Sequence, residues 1–367
     1  MAKKKEKVEK TEEVNNQIDS LLAEIEKAFG KGIVRSGDEL IDNPPMVIPF
    51  SPSLDRITGG IHEGSWVLTS GVPKSGKTTS LLSFCANAQK PENGNRHICV
   101  LSAEHRLEVQ TLKGIKGLKT DKDNLTFIES TKGKQLSSVD FLNIGLSYLK
   151  NMPGCVLLID SVSALTNPAI FEKGIGTSDF GGNNKLFSQF VDIAVPIVKA
   201  QKSIILMVAQ VYTNTGGYGK KYSEKIALKG KYQADVTLEV IKSEHEYGDG
   251  ETEPPTGQKQ TWLCRTTALT SPMRKAESYL KYGVGIDQTK ELMIQANDYG
   301  LIEIKGGGWT TFHYITPELK KDTEYENEDE VKIQGVEVAA NLLESQSKWL
   351  EELKLQIKNL LNPKVEE

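Results

Sequence analysis

One run of nine residues, Gly71-Val72-Pro73-Lys74-Ser75-Gly76-Lys77-Thr78-Thr79, fits the pattern G-x-x-x-x-G-K-[ST] in full. Its surroundings constrain the fold more than the run itself. An apolar, strand-like segment, Trp66–Ser70, leads in, and a helix-like segment, Thr79–Gln89, leads out. Glycine lets the chain bend far enough to aim backbone N–H groups inward, and the start of a helix adds a favourable dipole. A turn so framed binds phosphate. In it Lys77 reaches the β- and γ-phosphates and the Thr78 hydroxyl can ligate Mg²⁺, so ATP with Mg²⁺ is the expected cofactor.

From Ile48 onward strand-like and helix-like runs alternate. Strands are expected at Trp66–Ser70, His97–Ala103, Leu125–Glu129, Cys155–Asp160, Ser203–Ala209, Ala234–Ile241 and Gln260–Thr267, with helices at Ser80–Gln89, Val139–Lys150 and Lys185–Lys199. Strands rich in Val, Ile and Leu on both faces, separated by helices, imply an α/β core whose mostly parallel sheet is covered on both sides. The last strands follow one another without helices, as an antiparallel extension does. Ahead of this core, Ile18, Leu21, Leu22, Ile25 and Phe29 recur at helical spacing before Gly30 and Gly32. A stripe that short needs a partner surface, either its own core or a neighbouring subunit. Residues 1–14 read as a disordered basic tail, 15–49 as an N-terminal arm, which the family resemblance described below makes an oligomerisation arm, and 50–286 as the ATPase core. Residues 287–367 read as a small C-terminal α+β domain holding an acidic linker, Asp322 to Glu330, and a final helix over about 337–361. The acidic run is either solvated surface or a shield over a basic groove.

Composition excludes several classes. With 38% hydrophobic and 26% charged residues and no long apolar run, neither a membrane protein nor a disordered one is expected. The N-terminus carries no signal-peptide core, so a cytoplasmic location is expected. Cys85, Cys99, Cys155 and Cys264 stand singly in apolar segments, which suits buried thiols rather than disulfides or zinc.

Hydrolysis needs more than a phosphate loop: it needs an acid on the metal side and a group that positions water. Asp160 ends the apolar run Cys155–Ile159, which places a carboxylate at the carboxyl edge of a parallel sheet, the same edge at which the phosphate loop opens. Glu104 follows a second strand and reaches that edge too, where it can orient water. Gln210 follows a third; its amide can both donate and accept, which suits sensing a γ-phosphate. The segment 211–233 then carries Lys220, Lys221, Lys225, Lys229 and Lys231 with Tyr212, Tyr218, Tyr222 and Tyr232, against the single acid Glu224. Lysines for phosphates and rings for stacking suit single-stranded nucleic acid; the bland alternative is a solvated loop. A second glycine-rich stretch, Pro168–Asn184, follows the Asp160 strand on the same face.

Taken together these residues resemble the RecA/Rad51 recombinase family, its bacterial and phage branches most closely, over about residues 15–312. The matching segments include Ile25-Glu-Lys-Ala-Phe-Gly-Lys-Gly32, Ser53-Leu-Asp55, the phosphate loop and Ala103-Glu-His105. They continue with Leu158-Ile-Asp-Ser-Val-Ser-Ala-Leu165, Gln210, Tyr282-Gly-Val-Gly-Ile286 and the Leu301–Trp309 stretch. The resemblance implies a RecA-type P-loop NTPase core that forms helical filaments on single-stranded DNA and pairs it with double-stranded DNA. Lys77 and Thr78 would hold phosphate and Mg²⁺, Asp160 would be the second metal-side acid, Glu104 the catalytic carboxylate and Gln210 the switch. Glu108 would contact adenine, and the helix with Met46–Pro49 would pack on the next subunit. Gly174, Gly176, Gly181 and Gly182 of one loop, and Tyr212, Gly216, Gly217, Lys220, Lys221, Lys225, Lys229 and Lys231 of the other, would meet DNA. Mediator and single-strand-binding proteins are implied partners; a membrane is not. The chain departs from the family in having Thr111 where an aromatic ring near adenine is usual. In place of two interface lysines it has Arg265, with Arg274 and Lys275 as substitutes. A hexameric helicase on the same core, or an ATP-binding recombination accessory with little hydrolysis, remain the alternatives.

Overall fold

The computed structural model describes residues 2–173, 182–213, 222–247 and 254–361. The chain divides into two units, Met1–Met46 and Val47–Glu367. The first holds helix α1 (Ala2–Phe29) and the short helix α2 (Gly37–Asp42), which opens on a capping box between Ser36 and Glu39. The stretch expected as a basic tail is therefore helical: lysine and glutamate dominate it, and both favour helix. Along α1, Ile18, Leu21 and Phe29 remain exposed.

In the second unit β1 (Val47–Ile48) pairs antiparallel with β2 (Ile61–His62) around helix α3 (Pro52–Thr58). Val47 and Ile48, expected in the arm, thus pair within this unit. The chain then runs through β3 (Trp66–Gly71), α4 (Lys77–Ala88), β4 (Ile98–Ser102), α5 (Val109–Gly114), β5 (Leu125–Ile128), α6 (Ser138–Asn151) and β6 (Val156–Asp160). After α7 (Pro168–Lys173) and α8 (Gly182–Ala200), strand β7 (Ile204–Thr213) turns back as β8 (Tyr222–Glu224). Helix α9 (Leu228–Gln233) and strands β9 (Val236–Glu246), β10 (Gly257–Thr266), β11 (Arg274–Lys281) and β12 (Gly285–Ile286) complete the core.

These strands form one sheet in the order β12-β11-β10-β9-β3-β7-β6-β4-β5, with β8 on β7. The six strands from β9 to β5 are parallel to one another and β10 to β12 are antiparallel, as the loss of intervening helices implied. Successive side chains point to opposite faces, so β3 sends Val67 into one apolar layer and Trp66 and Leu68 into the other. Helix α4 covers the first layer with Leu81, Phe84 and Cys85; α6 and α8 cover the second with Phe141, Leu146, Phe187 and Phe190. All four cysteines are free and buried, and burial raises each thiol, so none is a nucleophile.

The remainder is α10 (Gln288–Asp298), β13 (Ile302–Ile304), β14 (Trp309–Phe312), α11 (Pro317–Lys320), β15 (Val331–Gln334), α12 (Val336–Ser345) and α13 (Ser347–Leu361). Three antiparallel strands and their helices enclose a separate core around Phe312, Leu343, Trp349 and Leu353. The single final helix expected from the sequence is two helices. Leu343 and Trp349 lie six apart, about 240° around one helix, and the break between α12 and α13 brings both inward. Tyr325 inside the acidic run packs on Trp349 at 5.7 Å between centroids, and the Lys320 ammonium binds the Glu328 carbonyl. The acids around it stay exposed, so the run is solvated surface on an anchored backbone.

The two cores meet at a pair of carboxyl groups. Glu291 of α10 is fully buried and accepts from Ser53 N (2.9 Å), Ser278 Oγ (2.5 Å) and Tyr279 N (3.2 Å). Asp55 of α3 accepts the Phe50 N–H at 2.8 Å. Burial pushes the Asp55 carboxyl up to about 7, the backbone N–H of Phe50 opposes this, and Glu291 adds to the rise. A carboxyl raised in the folded state binds more protons there than in the unfolded chain, whose value is 3.8, so its contribution falls as pH rises from 4 to 7. Asp55→Asn keeps an acceptor for Phe50 without the charge. We expect the variant to gain on the order of 1 kcal/mol relative to wild type between pH 5 and pH 8 in chemical denaturation. A constant difference would show that Asp55 ionises normally.

Candidate active site at the carboxyl edge of the sheet

Strand register builds the site. Gly71 of β3 pairs with Gln210 of β7, and Asp160 of β6 pairs with Ser102 of β4 and Val208 of β7. Gly71 and Gln210 therefore lie side by side, with Asp160 two residues lower on the next strand. Gly76 turns the loop into α4 at φ +80°, and a Cβ there would sit 2.3 Å from Leu280 Cδ1, so glycine is required twice over. No side chain caps the start of α4, which leaves its first N–H groups for an anion.

The Lys77 side chain is buried and donates to the carbonyls of Gly71 (3.0 Å) and Val72 (2.7 Å) and to Ser75 Oγ (3.3 Å). Burial lowers its pKa, while Asp160 and Glu104 oppose that shift. Thr78 Oγ1 donates to Asp160 Oδ2 at 3.0 Å. Burial raises the Asp160 carboxyl to about 6; the Thr78 hydroxyl and Lys77 pull it down and Glu104 pushes it up. A hard cation fits this donor set. Among the described residues no group of three or more His, Cys, Asp or Glu side chains could cage a metal alone. One hydroxyl with one carboxylate, completed by phosphate oxygens and water, is how Mg²⁺ is usually held.

Glu104 follows β4, and its backbone N–H donates to Asp160 O at 3.1 Å. Its Oε1 accepts from Ser161 Oγ at 2.7 Å and from the Gln210 amide. Both anchors hold one oxygen, and among the described residues nothing binds Oε2, which is left to accept from water. Gln210 is held in turn, since its backbone N–H donates to Ser163 Oγ at 2.9 Å. Ser163 Oγ donates to Lys225 O at 2.7 Å, and Lys225 N donates to Gln210 O at 2.8 Å. A path of hydrogen bonds, with the Asp160–Ser161 peptide link, thus runs from Thr78 through Asp160, Ser161, Glu104, Gln210 and Ser163 to Lys225 at the base of the β7–β8 hairpin.

Sequence reasoning found five members of this path and missed Ser161 and Ser163. Their signal was present, hydroxyls one and three residues after Asp160, but only the cross-strand register says what they hold. Gln210 does not end its strand, as expected, but lies within β7, which continues to Thr213. The lysine segment is part hairpin stem and part helix α9. Lys229 and Lys231 are paired with Asp192 and Glu224; Lys225 and the Tyr212 ring are exposed. Gly216, Gly217, Lys220 and Lys221, like Gly174, Gly176 and Gly181, lie outside the described residues; Gly182 opens α8. Glu108 stands at the N-cap position of α5 with an exposed side chain that makes no capping hydrogen bond, and none to the phosphate loop among the described residues. Arg265, expected to serve a neighbouring subunit, is engaged with Glu239 on β9, whereas Arg274 and Lys275 are exposed at the start of β11. A groove of 1750 Å³ elsewhere, lined by Lys116, Lys281, Lys290 and Glu344, contains no phosphate-loop residue. Three of its lysines, Lys116, Lys281 and Lys290, are held by Glu344, Glu337 and Glu246.

Fold and site together define a nucleotide-binding α/β protein of the phosphate-loop class with a hairpin rising from the sheet edge. A family model, the RecA N-terminal domain, matches residues 16–287, ending where α10 begins. Protein RecA of Mannheimia haemolytica is 30% identical over 305 residues, covering 82% of this chain and 79% of the relative. Protein RecA of Campylobacter fetus is 30% identical over 80% of this chain and 83% of the relative. Protein RecA of Streptomyces venezuelae is 28% identical over 94% and 84%. The chain belongs to the RecA family.

The Ser163 clamp can be tested without any ligand. Ser163→Ala removes the acceptor of the Gln210 N–H, so amide exchange at Gln210 should quicken about tenfold while β6 stays protected. Unchanged exchange at Gln210 would mean that Ser163 does not hold the hairpin.

Proposed function

We propose that this chain is a DNA-dependent ATPase that polymerises on single-stranded DNA and carries out homologous pairing and strand exchange. The observation that carries the reading is the continuous path from the phosphate loop to the hairpin base, because it joins a nucleotide site to Lys225 and the lysine-rich segment around it. In this reading the N–H groups of residues 71–79 and the Lys77 ammonium bind the triphosphate. Thr78 and Asp160 hold Mg²⁺, which neutralises charge on the phosphates. Glu104, fixed through Oε1, accepts a proton of the attacking water at Oε2. A γ-phosphate oxygen competes for the Gln210 amide; when it wins, the bond to Glu104 breaks and β7 passes the change to the hairpin. Coupling of this kind is reciprocal, so DNA must tighten ATP binding by the factor by which ATP tightens DNA binding.

The exposed stripe of α1 is what a head-to-tail contact needs, and a contact that does not close generates a filament. Arg274 and Lys275 are the cations we assign to the neighbouring subunit's nucleotide, and Glu108 to adenine. Single-strand-binding and mediator proteins are the partners that a filament on exposed single strands requires, and the cytoplasm is the compartment in which it works. No helix of the described residues is long and apolar enough to cross a membrane.

Single-stranded DNA should raise the rate of ATP hydrolysis severalfold, and Lys77→Ala should abolish turnover. Glu104→Gln should still bind ATP and DNA but lose at least a hundredfold in kcat. Turnover in Lys77→Ala, or normal kcat in Glu104→Gln, would refute the site. Replacing Lys220, Lys221 and Lys225 by Gln should flatten the log–log salt dependence of single-strand binding by about 2. An unchanged slope would place DNA elsewhere.

A further inference from the structure

We infer that Gln258 and Gln260 of β10 are positioning residues for the nucleotide, because their amides grip the outward carbonyls of the phosphate loop. The inference rests on the nucleotide-binding reading above and deepens it. The two residues are two apart on a strand and so share a face. Both are buried, Gln260 completely, beside Trp262 and Cys264, and an amide in such surroundings needs partners.

The partners are in the loop. Gln260 Nε2 donates to Ser75 O, while its Oε1 accepts from Ser80 Oγ at 3.2 Å and from Trp262 Nε1 at 3.3 Å. A carbonyl can only accept and an indole N–H can only donate, so the orientation of this amide is dictated by its neighbours. Gln258 Nε2 donates to Lys74 O at 3.3 Å and to Ser243 Oγ. Across a trans peptide the C=O and the next N–H point in opposite directions. Fixing the carbonyls of Lys74 and Ser75 on β10 therefore turns the N–H groups of Ser75 and Gly76 away from it. The flanking residues make this necessary. Lys74 sits at φ +60°, a region an L-residue disfavours, and Gly76 at φ +80°, where glycine is free, so the intervening planes need an external hold. Gly76 also has to be glycine for the grip to form, since a Cβ would lie 2.6 Å from Gln260 Nε2. N–H groups aimed in advance bind phosphate without first paying to reorganise.

The test is steady-state and equilibrium nucleotide binding on the full chain. Gln260→Glu keeps the shape and both acceptor contacts but faces Ser75 O with an oxygen. Its KM for ATP and its dissociation constant for ADP should rise at least tenfold, with kcat within threefold of wild type. Trp262→Phe removes the indole bond to the same amide without touching the loop, so it should lower Tm and leave both nucleotide constants unchanged. Gln258→Met, at the less buried position, should raise KM about threefold, and it carries the test if Gln260→Glu does not fold. Wild-type nucleotide constants in the glutamine variants, or a loss matched by Trp262→Phe, would overturn the inference. If the wild-type chain itself bound no ATP, the functional reading would fall instead.

Discussion

The parallel register of three strands is the constraint on which the site depends. Gly71 faces Gln210 across β3 and β7, and Asp160 faces Val208 across β6 and β7. A shift of one residue in either pair would invert the side chains of a whole strand, moving Leu206 and Val208 out of one apolar layer and into the other. The hydrophobic layers therefore specify the register, and the register places the polar ends. Packing sets the chemistry here. Cohesion is reinforced at the opposite edge, where buried Arg96 pairs with Glu63 at 2.7 Å and donates to the carbonyls of Gly154 and Lys202. That one guanidinium ties the entries of β4, β6 and β7 together.

Burial acts on the polar ends in opposite senses. It lowers the pKa of Lys77 and raises that of Asp160, and each group partly offsets the other's shift. Both are thereby prepared to exchange partners: among the described residues Lys77 binds two loop carbonyls and the Ser75 hydroxyl, and the Asp160 carboxylate one hydroxyl. A bound phosphate and cation would give each the opposite charge it is short of. Water is kept from the pair by the apolar layers beneath, which makes each such charge interaction stronger than at a free surface. The same logic explains why Glu104 is held by two uncharged donors, Ser161 and Gln210. A cationic partner would tie up the carboxylate and lower its basicity.

The strand ends were legible in the sequence because an apolar run that stops at a polar residue is a local signal. Asp160, Glu104 and the phosphate loop all announce themselves that way, and the family resemblance assigned their tasks. Ser163, Gln258 and Gln260 were not legible, since each acts on a backbone group tens of residues away or more. Asp55 and Glu291 lie in different helices and meet only because α10 packs on α3. The break after Ser345 is a packing event too: residues 337–361 are all compatible with one helix, and only the shared core shows that one helix would turn Leu343 or Trp349 outward. The pairing of Lys229 and Lys231 likewise depends on neighbours that a count of charges ignores.

Arg265 shows the same limit on reading charge from sequence, with a consequence for the subunit interface. Leu263, two residues before Arg265 on β10, pairs in register with Glu239 on β9, and the Arg265 guanidinium closes on that mostly buried carboxylate. Removing one member of such a pair leaves the other uncompensated, a loss of about 3–5 kcal/mol. An Arg265 substitution would therefore damage the sheet beside the phosphate loop whether or not the residue meets a second subunit. Arg274, which pairs in register with Cys264, and Lys275, opposite Leu263, carry no such burden. Both are exposed, and among the described residues neither has an ion-pair partner. A cation that reaches across to a neighbour's phosphates has to be free in its own subunit. On that ground the proposed interface role is assigned to the start of β11 rather than to the end of β10.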